Sequence, residues 1–193
     1  MDGQLPGTHI YLRALERDDA AALLRLNLDN RAFFAGRESR RPEAYYTLDG
    51  QLEYIEATET MRAEQRGVSF GVFLRETDEL IGTLVLFGIV RGAFQEARIG
   101  YMPAERHSGK GHATEAVELA LPYAFQALEL HRLETGVQLD NPASMRVLAK
   151  AGFREEGVSL GWVNVADEWA DCKRFALTRE EWEQRSGTGV EPA

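Results

Sequence analysis

The sequence predicts a mixed domain of the α+β (or α/β) class, and three patterns carry that prediction. Amphipathic stretches of helical period flank the chain's middle. A run of β-branched and apolar segments fills that middle. Helix and strand signals then alternate, with no internal repeat and no Gly/Pro/Ser-rich linker to divide them. The 193 residues suit one domain with a sizeable core, read as 1–185 with 186–193 as a flexible tail.

The elements follow in order. Residues 1–7 carry glycine and proline and read as a loose lead-in. His9, Ile10, Tyr11, Leu12 and Arg13 make a short strand. Asp18 or Asp19 caps a helix running through Leu26. Residues 27–41 fit a loop with a short turn, holding Phe33, Phe34 and Gly36 among charges. A second helix fits 48–65, with Leu52, Ile55 and Thr58 on one side and Gly67 as its stop. Residues 68–74 and 80–90 are strands joined at Thr77-Asp78-Glu79 into a hairpin. A third strand over 94–102 ends at Pro103, which supplies no ladder N–H. Over 111–130, Ala113, Ala116, Val117, Ala120, Leu121, Ala124 and Leu128 recur at helical spacing. Pro122 inside this stretch should kink it or leave a carbonyl unpaired. Residues 132–139 form a strand, and 142–151 a helix closed by Gly152. Strands around 158–165 and 169–177 come last. Thr178-Arg179-Glu180-Glu181 has capping-box spacing and opens a helix holding Trp182.

Composition narrows the function classes. The formal net charge of -9 disfavours non-specific binding to nucleic acid or to an anionic membrane. It either attracts cationic partners such as amines, polyamines and basic tails, or serves only solubility. Cys172 is the sole cysteine, so no internal disulfide or thiolate metal cluster is expected, and no metal site. It reads as a small core residue. No basic stretch followed by an apolar one opens the sequence, and no apolar run approaches membrane-spanning length. A soluble cytoplasmic protein is the expectation.

Arg106-His107-Ser108-Gly109-Lys110-Gly111-His112-Ala113 lies between a strand and a helix. Glycines let the backbone turn its N–H groups inward, and the helix adds unpaired donors and the positive end of its dipole. Arg106 and Lys110 put positive charge at the rim. A pyrophosphate fits such a cradle, though the pattern alone equally fits a plain turn. It is neither a Walker P-loop nor a dinucleotide fingerprint, since Thr114 holds the third glycine position. Asp140-Asn141-Pro142-Ala143-Ser144 opens the next helix, and Asn at N-cap with Pro at N1 is a sound start without any function. Gly152-Phe153-Arg154-Glu155-Glu156-Gly157 closes that helix.

Together these segments resemble the GNAT family of acyl-CoA N-acyltransferases, and more closely its RimJ/RimL-type branch, which acetylates protein N-termini. Arg106-x-x-Gly109-x-Gly111 matches the family's pyrophosphate loop. Ile99-Gly100-Tyr101, Ala113-Thr114-Glu115-Ala116, Asn141-Pro142-Ala143-Ser144, Gly152 to Gly157 and Ala176-Leu177-Thr178-Arg179-Glu180-Glu181-Trp182 resemble the branch as well. The close match covers 94–182, while the N-terminal half agrees only in its order of elements.

The resemblance implies a twisted, mostly antiparallel central sheet of about seven strands with helices on both faces. It implies splayed central strands that hold acetyl-CoA against Ile99, Tyr101 and Met102, whose backbone N–H groups meet the thioester carbonyl. The backbone from His107 through Ser108, Gly109, Lys110, Gly111 and His112 to Ala113, with Arg106, then holds the pyrophosphate. Asn141 meets the pantetheine arm. The amine attacks the thioester directly, so the protein mainly aligns two substrates and manages protons. Glu156 matches a position proposed as base in the branch, and Glu96 is the rival. Many GNAT enzymes place a tyrosine where this chain has Leu148. The branch instead has serine at Ser144, which is assigned to the leaving sulfur. The acceptor is expected to be a peptide or protein N-terminal α-amine. A small amine such as a polyamine or antibiotic, or a non-catalytic acyl-CoA-binding module, is the alternative. Both monomer and homodimer remain open.

Overall fold

The structure, a computed structural model, describes residues 3–187. Its eight strands are β1 (Leu5–Pro6), β2 (Ile10–Arg13), β3 (Gly67–Leu74), β4 (Leu80–Val90), β5 (Glu96–Pro103), β6 (Arg132–Gln138), β7 (Arg154–Val165) and β8 (Glu168–Thr178). They form one sheet in the order β1-β2-β3-β4-β5-β6-β8-β7. Neighbours among the described residues run antiparallel except β5 and β6, which are parallel. A parallel pair needs a crossover, and α4 (His112–Pro122) supplies it. The other helices are α1 (Ala20–Asp29), α2 (Arg31–Ala35), α3 (Leu48–Ala63), α5 (Pro142–Ala151) and α6 (Arg179–Ser186).

Side chains alternate across the strands and divide the core in two. Leu12, Val72, Leu84 and Ile99 pack with Ala116, Val117, Ala120 and Leu121 of α4, and with Leu148 of α5 and Trp182 of α6. Tyr11, Phe73 and Leu80 pack on the opposite face with Leu23 and Leu26 of α1 and Ile55 of α3. Two caps read from sequence, at α5 and α6, are made. Asn141 Oδ1 accepts the Ser144 N–H at 3.1 Å, and Thr178 and Glu181 complete a capping box. Asp19 at the N-cap of α1 makes no side-chain cap bond, because its carboxylate accepts from Arg13 at 2.6 Å and from the Glu16 N–H at 2.7 Å instead.

Four expectations change. Residues 5–6 are a strand paired with β2, where a loose lead-in was expected. Glu115 of α4 secures the following turn by accepting the N–H groups of Thr8 at 2.5 Å and His9 at 2.9 Å. The stop after α3 is Gln65, with φ of 55°, while Gly67 already belongs to β3. A Cβ on Gly67 would strike the Leu86 carbonyl of β4, which is why glycine stands there. Residues 27–41 hold the end of α1 and then α2, followed by the 3₁₀ turn Glu43–Tyr46. Pro122 ends α4, and the chain continues as the wider π turn Tyr123–Ala127, closed by Leu128 N–H to the Tyr123 carbonyl at 2.9 Å. Of the expected tail, Ser186 ends α6 and Gly187 follows it in a left-handed conformation, while residues 188–193 lie outside the described residues. Cys172 is fully buried, as a core residue should be.

Glu115→Ala should lower unfolding free energy by about 1–2 kcal/mol, because it leaves two backbone donors unmatched, and Glu115→Gln should recover much of that. Urea denaturation measures it. Equal stability of the Ala variant and the parent would show that water replaces the carboxylate without cost.

Candidate active site

The β5–β6 ladder stops early. It joins Glu96, Ala97 and Arg98 to Arg132, Leu133 and Glu134, and no further. Both strands continue, β5 to Pro103 and β6 to Gln138. Ile99, Gly100, Tyr101, Met102 and Pro103 therefore present an edge without a strand partner inside the sheet. Unpaired backbone donors beside a gap make a site for an extended acceptor of hydrogen bonds.

The segment after β5 leads from this edge into α4. Glu105–His107 is a 3₁₀ turn, and Gly109 and Gly111 follow with φ of 75° and 91°. A side chain at either position would be strained, although a Cβ there meets nothing within 4 Å. The space above the loop is open, and α4 begins at its end. Arg106 is ion-paired with Glu79. His107 is buried beneath the loop, with a carboxylate oxygen of Glu79 3.5 Å from Nε2. Its two ring nitrogens and Nδ1 of His112 lack hydrogen-bond partners. The two rings lie 5.7 Å apart, and burial holds both below the ordinary imidazole pKa, so both are neutral near pH 7.

Asn141 and Ser144 stand across the gap from β5 at the start of α5. The Tyr101 hydroxyl reaches Ser144, 2.8 Å from its Oγ. Burial pushes the Tyr101 phenol up to about 12.

The opposite face of the sheet carries charge at the same junction. Glu134 occupies the last paired position of β6 and meets Arg174 at 2.8 Å, Arg98 at 3.5 Å and Arg132 at 3.7 Å. Trp162 of β7 lies over Gly136, where a Cβ would run into its ring. The guanidiniums of Arg174 and Arg98 sit 4.4 and 5.4 Å from that ring. Glu156 bonds Arg132 and, at 2.7 Å, Arg154. These arginines hold its carboxyl below the usual range, the Arg132 hydrogen bond most of all. Residues 36–41 cross to this side: Arg37 pairs with Asp140 at 3.0 Å, and Ser39 Oγ donates to the Asn164 carbonyl at 2.6 Å. Arg40 pairs with Asp167 at the β7–β8 turn at 3.2 Å.

A family model described as an acetyltransferase (GNAT) domain matches residues 9–154. The chain belongs to the GNAT acetyltransferase family. It is 43% identical over 180 residues to the probable N-acetyltransferase YjcK of Bacillus subtilis (strain 168), covering 93% of this chain and 99% of that relative. The structure of the ribosomal-protein-S5-alanine acetyltransferase from Vibrio fischeri matches with a TM-score of 0.87 at 25% identity, over 94% of this chain and 99% of that one. Mycobacterium smegmatis RimJ in complex with CoA-disulfide matches with a TM-score of 0.85 at 29% identity, over 92% and 89% of the two chains. This chain is thus a GNAT-type N-acetyltransferase with RimJ/RimL-type neighbours, as its three segments implied.

Within this GNAT fold, the residues singled out from sequence fall into two groups. Ile99, Tyr101 and Met102 lie on β5 beyond its last β6 pair, Ser144 of α5 meets Tyr101 with Asn141 beside it, and the loop from Arg106 to Ala113 joins the end of β5 to α4. Glu96 and Glu156 lie on the other side of the sheet, Glu96 on β5 and Glu156 on β7. Two strands, β6 and β8, separate β7 from β5, so the Glu156 backbone stands roughly 14 Å from β5 at about 4.8 Å per strand, while its carboxylate reaches back to Arg132 of β6. Leu148 is fully buried in the core. Sequence reasoning missed Arg98, Glu134, Trp162 and Arg174. One signal was available: a glycine inside a strand, Gly136, marks close approach by another group. Among the described residues, no cluster is arranged to hold a metal and no helix is long and apolar enough to cross a membrane.

The neutral histidines give a pH prediction. The unfolded chain takes up protons on its imidazoles from about pH 6.5 downward, while the buried rings resist until lower pH. Their contribution is complete above about pH 6.5 and is lost as pH falls toward the folded-state pKa. The Tm should therefore decline between about pH 7 and 5, above the window of the carboxylates, and His107→Phe should flatten that decline. An equally steep decline in the variant would assign it elsewhere.

Proposed function

We propose that the protein transfers the acetyl group of acetyl-CoA to the α-amine of a peptide or protein N-terminus. The observation that carries this reading is the charge balance at the β5–β6 junction. Arg98, Arg132, Arg154 and Arg174 surround Glu134 and Glu156 and leave no net negative charge there for a polycation. An acceptor must also lose its proton before it attacks. An α-amine titrates near about 7.7–8.0 and costs about 1 kcal/mol to deprotonate at pH 7, against roughly 4–5 kcal/mol for a lysine-like amine near 10.4. A site crowded with guanidiniums favours the amine that is more readily neutral. The likeness to an S5-alanine acetyltransferase supports the same acceptor class.

In this reading the N–H groups from Gly109 to Ala113 hold the CoA pyrophosphate, those of His107 and Ser108 being already given to the Ala104 and Glu105 carbonyls at 2.9 and 3.0 Å, with Arg106 and Lys110 at the rim. The unpaired edge at Ile99, Tyr101 and Met102 holds the thioester, and one of its N–H groups stabilises the oxyanion. Asn141 meets the pantetheine arm. The Ser144 hydroxyl donates a hydrogen bond to the leaving sulfur. Glu96 is the first choice to collect the amine's proton, because the guanidiniums of Arg132 and Arg154 lower the basicity of the Glu156 carboxylate. Acetyl-CoA is the only cosubstrate in this scheme.

Thiol release from acetyl-CoA tests the reading against N-terminal peptides, polyamines and aminoglycosides. Peptides with a free α-amine should react at least about ten-fold faster than N-blocked, lysine-containing ones. Glu96→Gln should lower kcat/KM roughly ten-fold or more, with Glu156→Gln closer to the parent. Turnover with polyamines alone would replace the acceptor class, and CoA binding without thiol release from any amine would leave a binding module.

The rim charges allow a second check. Arg106→Glu with Lys110→Glu should weaken CoA binding roughly ten-fold at low salt and less at high salt. Unchanged affinity across salt would leave the backbone as the sole anchor.

A further inference from the structure

Ser144 sits in the first turn of α5 with its N–H given to Asn141 Oδ1 at 3.1 Å. Its hydroxyl is free to turn, and a hydroxyl that turns freely is a poor donor to any one atom. Tyr101 meets it from the opposite wall. The phenol oxygen lies 2.8 Å from Ser144 Oγ and 3.2 Å from the Ser144 carbonyl. A phenol has one proton to give. With its pKa pushed up to about 12 by burial, Tyr101 keeps that proton at every working pH. The Ser144 carbonyl can only accept that proton, while at the shorter contact, to the Ser144 hydroxyl, either oxygen can be the donor.

We propose that Tyr101 is a positioning residue for the transfer: its phenol donates to Ser144 Oγ and so leaves the Ser144 proton to point at the sulfur of the departing CoA. This rests on the reading that Ser144 meets that sulfur. In the transfer, the amine nitrogen bonds to the thioester carbon, and the C–S pair leaves on sulfur. The amine gives up one proton to a base, and the thiolate ends as a thiol by taking one up, so acid and base balance. Neither hydroxyl needs to lose its own proton. A thiol titrates near about 8.5, well below the Tyr101 phenol, so the pair acts as a chain of hydrogen-bond donors. Donation by Tyr101 also polarises the Ser144 O–H and strengthens its bond to sulfur.

The test compares Tyr101→Phe, Ser144→Ala and the double variant in the full chain, with an N-terminal peptide as acceptor. Tyr101→Phe should lower kcat about five- to twenty-fold, with KM for acetyl-CoA, CoA affinity and Tm close to those of the parent. The double variant should be no slower than Ser144→Ala alone, because the two hydroxyls act in series. Replacing Tyr101 by 3-fluorotyrosine keeps shape and proton and should restore kcat. Losses that multiply in the double variant, or a Tyr101→Phe loss matched by weaker CoA binding or by a lower Tm, overturn the proposal. So does a 3-fluorotyrosine variant as slow as Tyr101→Phe. Ser144→Ala at parental kcat instead strikes the assignment of Ser144 itself, a failure read from that single variant before Tyr101 is considered.

Discussion

The end of the β5–β6 ladder at Arg98 and Glu134 is the constraint on which the rest of the site depends. Two parallel strands that begin together would ordinarily stay together, since each further residue offers ladder bonds. Here β7 packs Trp162 over Gly136 of β6, just beyond the last pair. The guanidiniums of Arg98 and Arg174 lie against the indole, and Glu134 binds both. The junction is thus pinned by charge and ring stacking at one level, and open at the next. An edge of β5 is exposed inside the fold, where the neighbouring chain cannot fill it but an extended ligand can.

That opening explains the unequal treatment of charge on the two sides of the sheet. On the α4 side the groups along the gap are hydroxyls, backbone donors and neutral imidazoles. Of the two cations of the loop, Arg106 and Lys110, the first already has Glu79 as a partner. Fixed dipoles there can meet an anion with little rearrangement. The other side is ionic, a network in which Glu134 and Glu156 share the guanidiniums of Arg98, Arg132, Arg154 and Arg174.

Much of this was legible in the sequence where the signal is local. Gly109 and Gly111 before a helical period, Asn141-Pro142 at a helix start and the Thr178–Glu181 box each act within a few residues, and each stands where its spacing placed it. The order of strands and helices was legible for the same reason. Contacts made across the chain were not. Residues 27–41 owe their course to partners at Asp140, Asn164 and Asp167, more than a hundred positions away. The strand at Leu5 depends on Glu115 in the same way. Glu134 and Trp162 have ordinary neighbours in sequence and acquire meaning only when β5, β6, β7 and β8 lie side by side.

The ties made by residues 36–41 are of another kind. Arg37 joins this segment to Asp140, the neighbour of Asn141, and Arg40 joins it to the β7–β8 turn. Both are exposed ion pairs, each worth at most about 1 kcal/mol. Such a strap can lift without unfolding anything beneath it, since neither hydrophobic cluster draws a residue from it. The β5–β6 junction has the opposite character, being held by several charges and a half-buried ring at once. A firmly held junction beside a loosely tied segment keeps fixed distances at the sheet while leaving room for movement next to it.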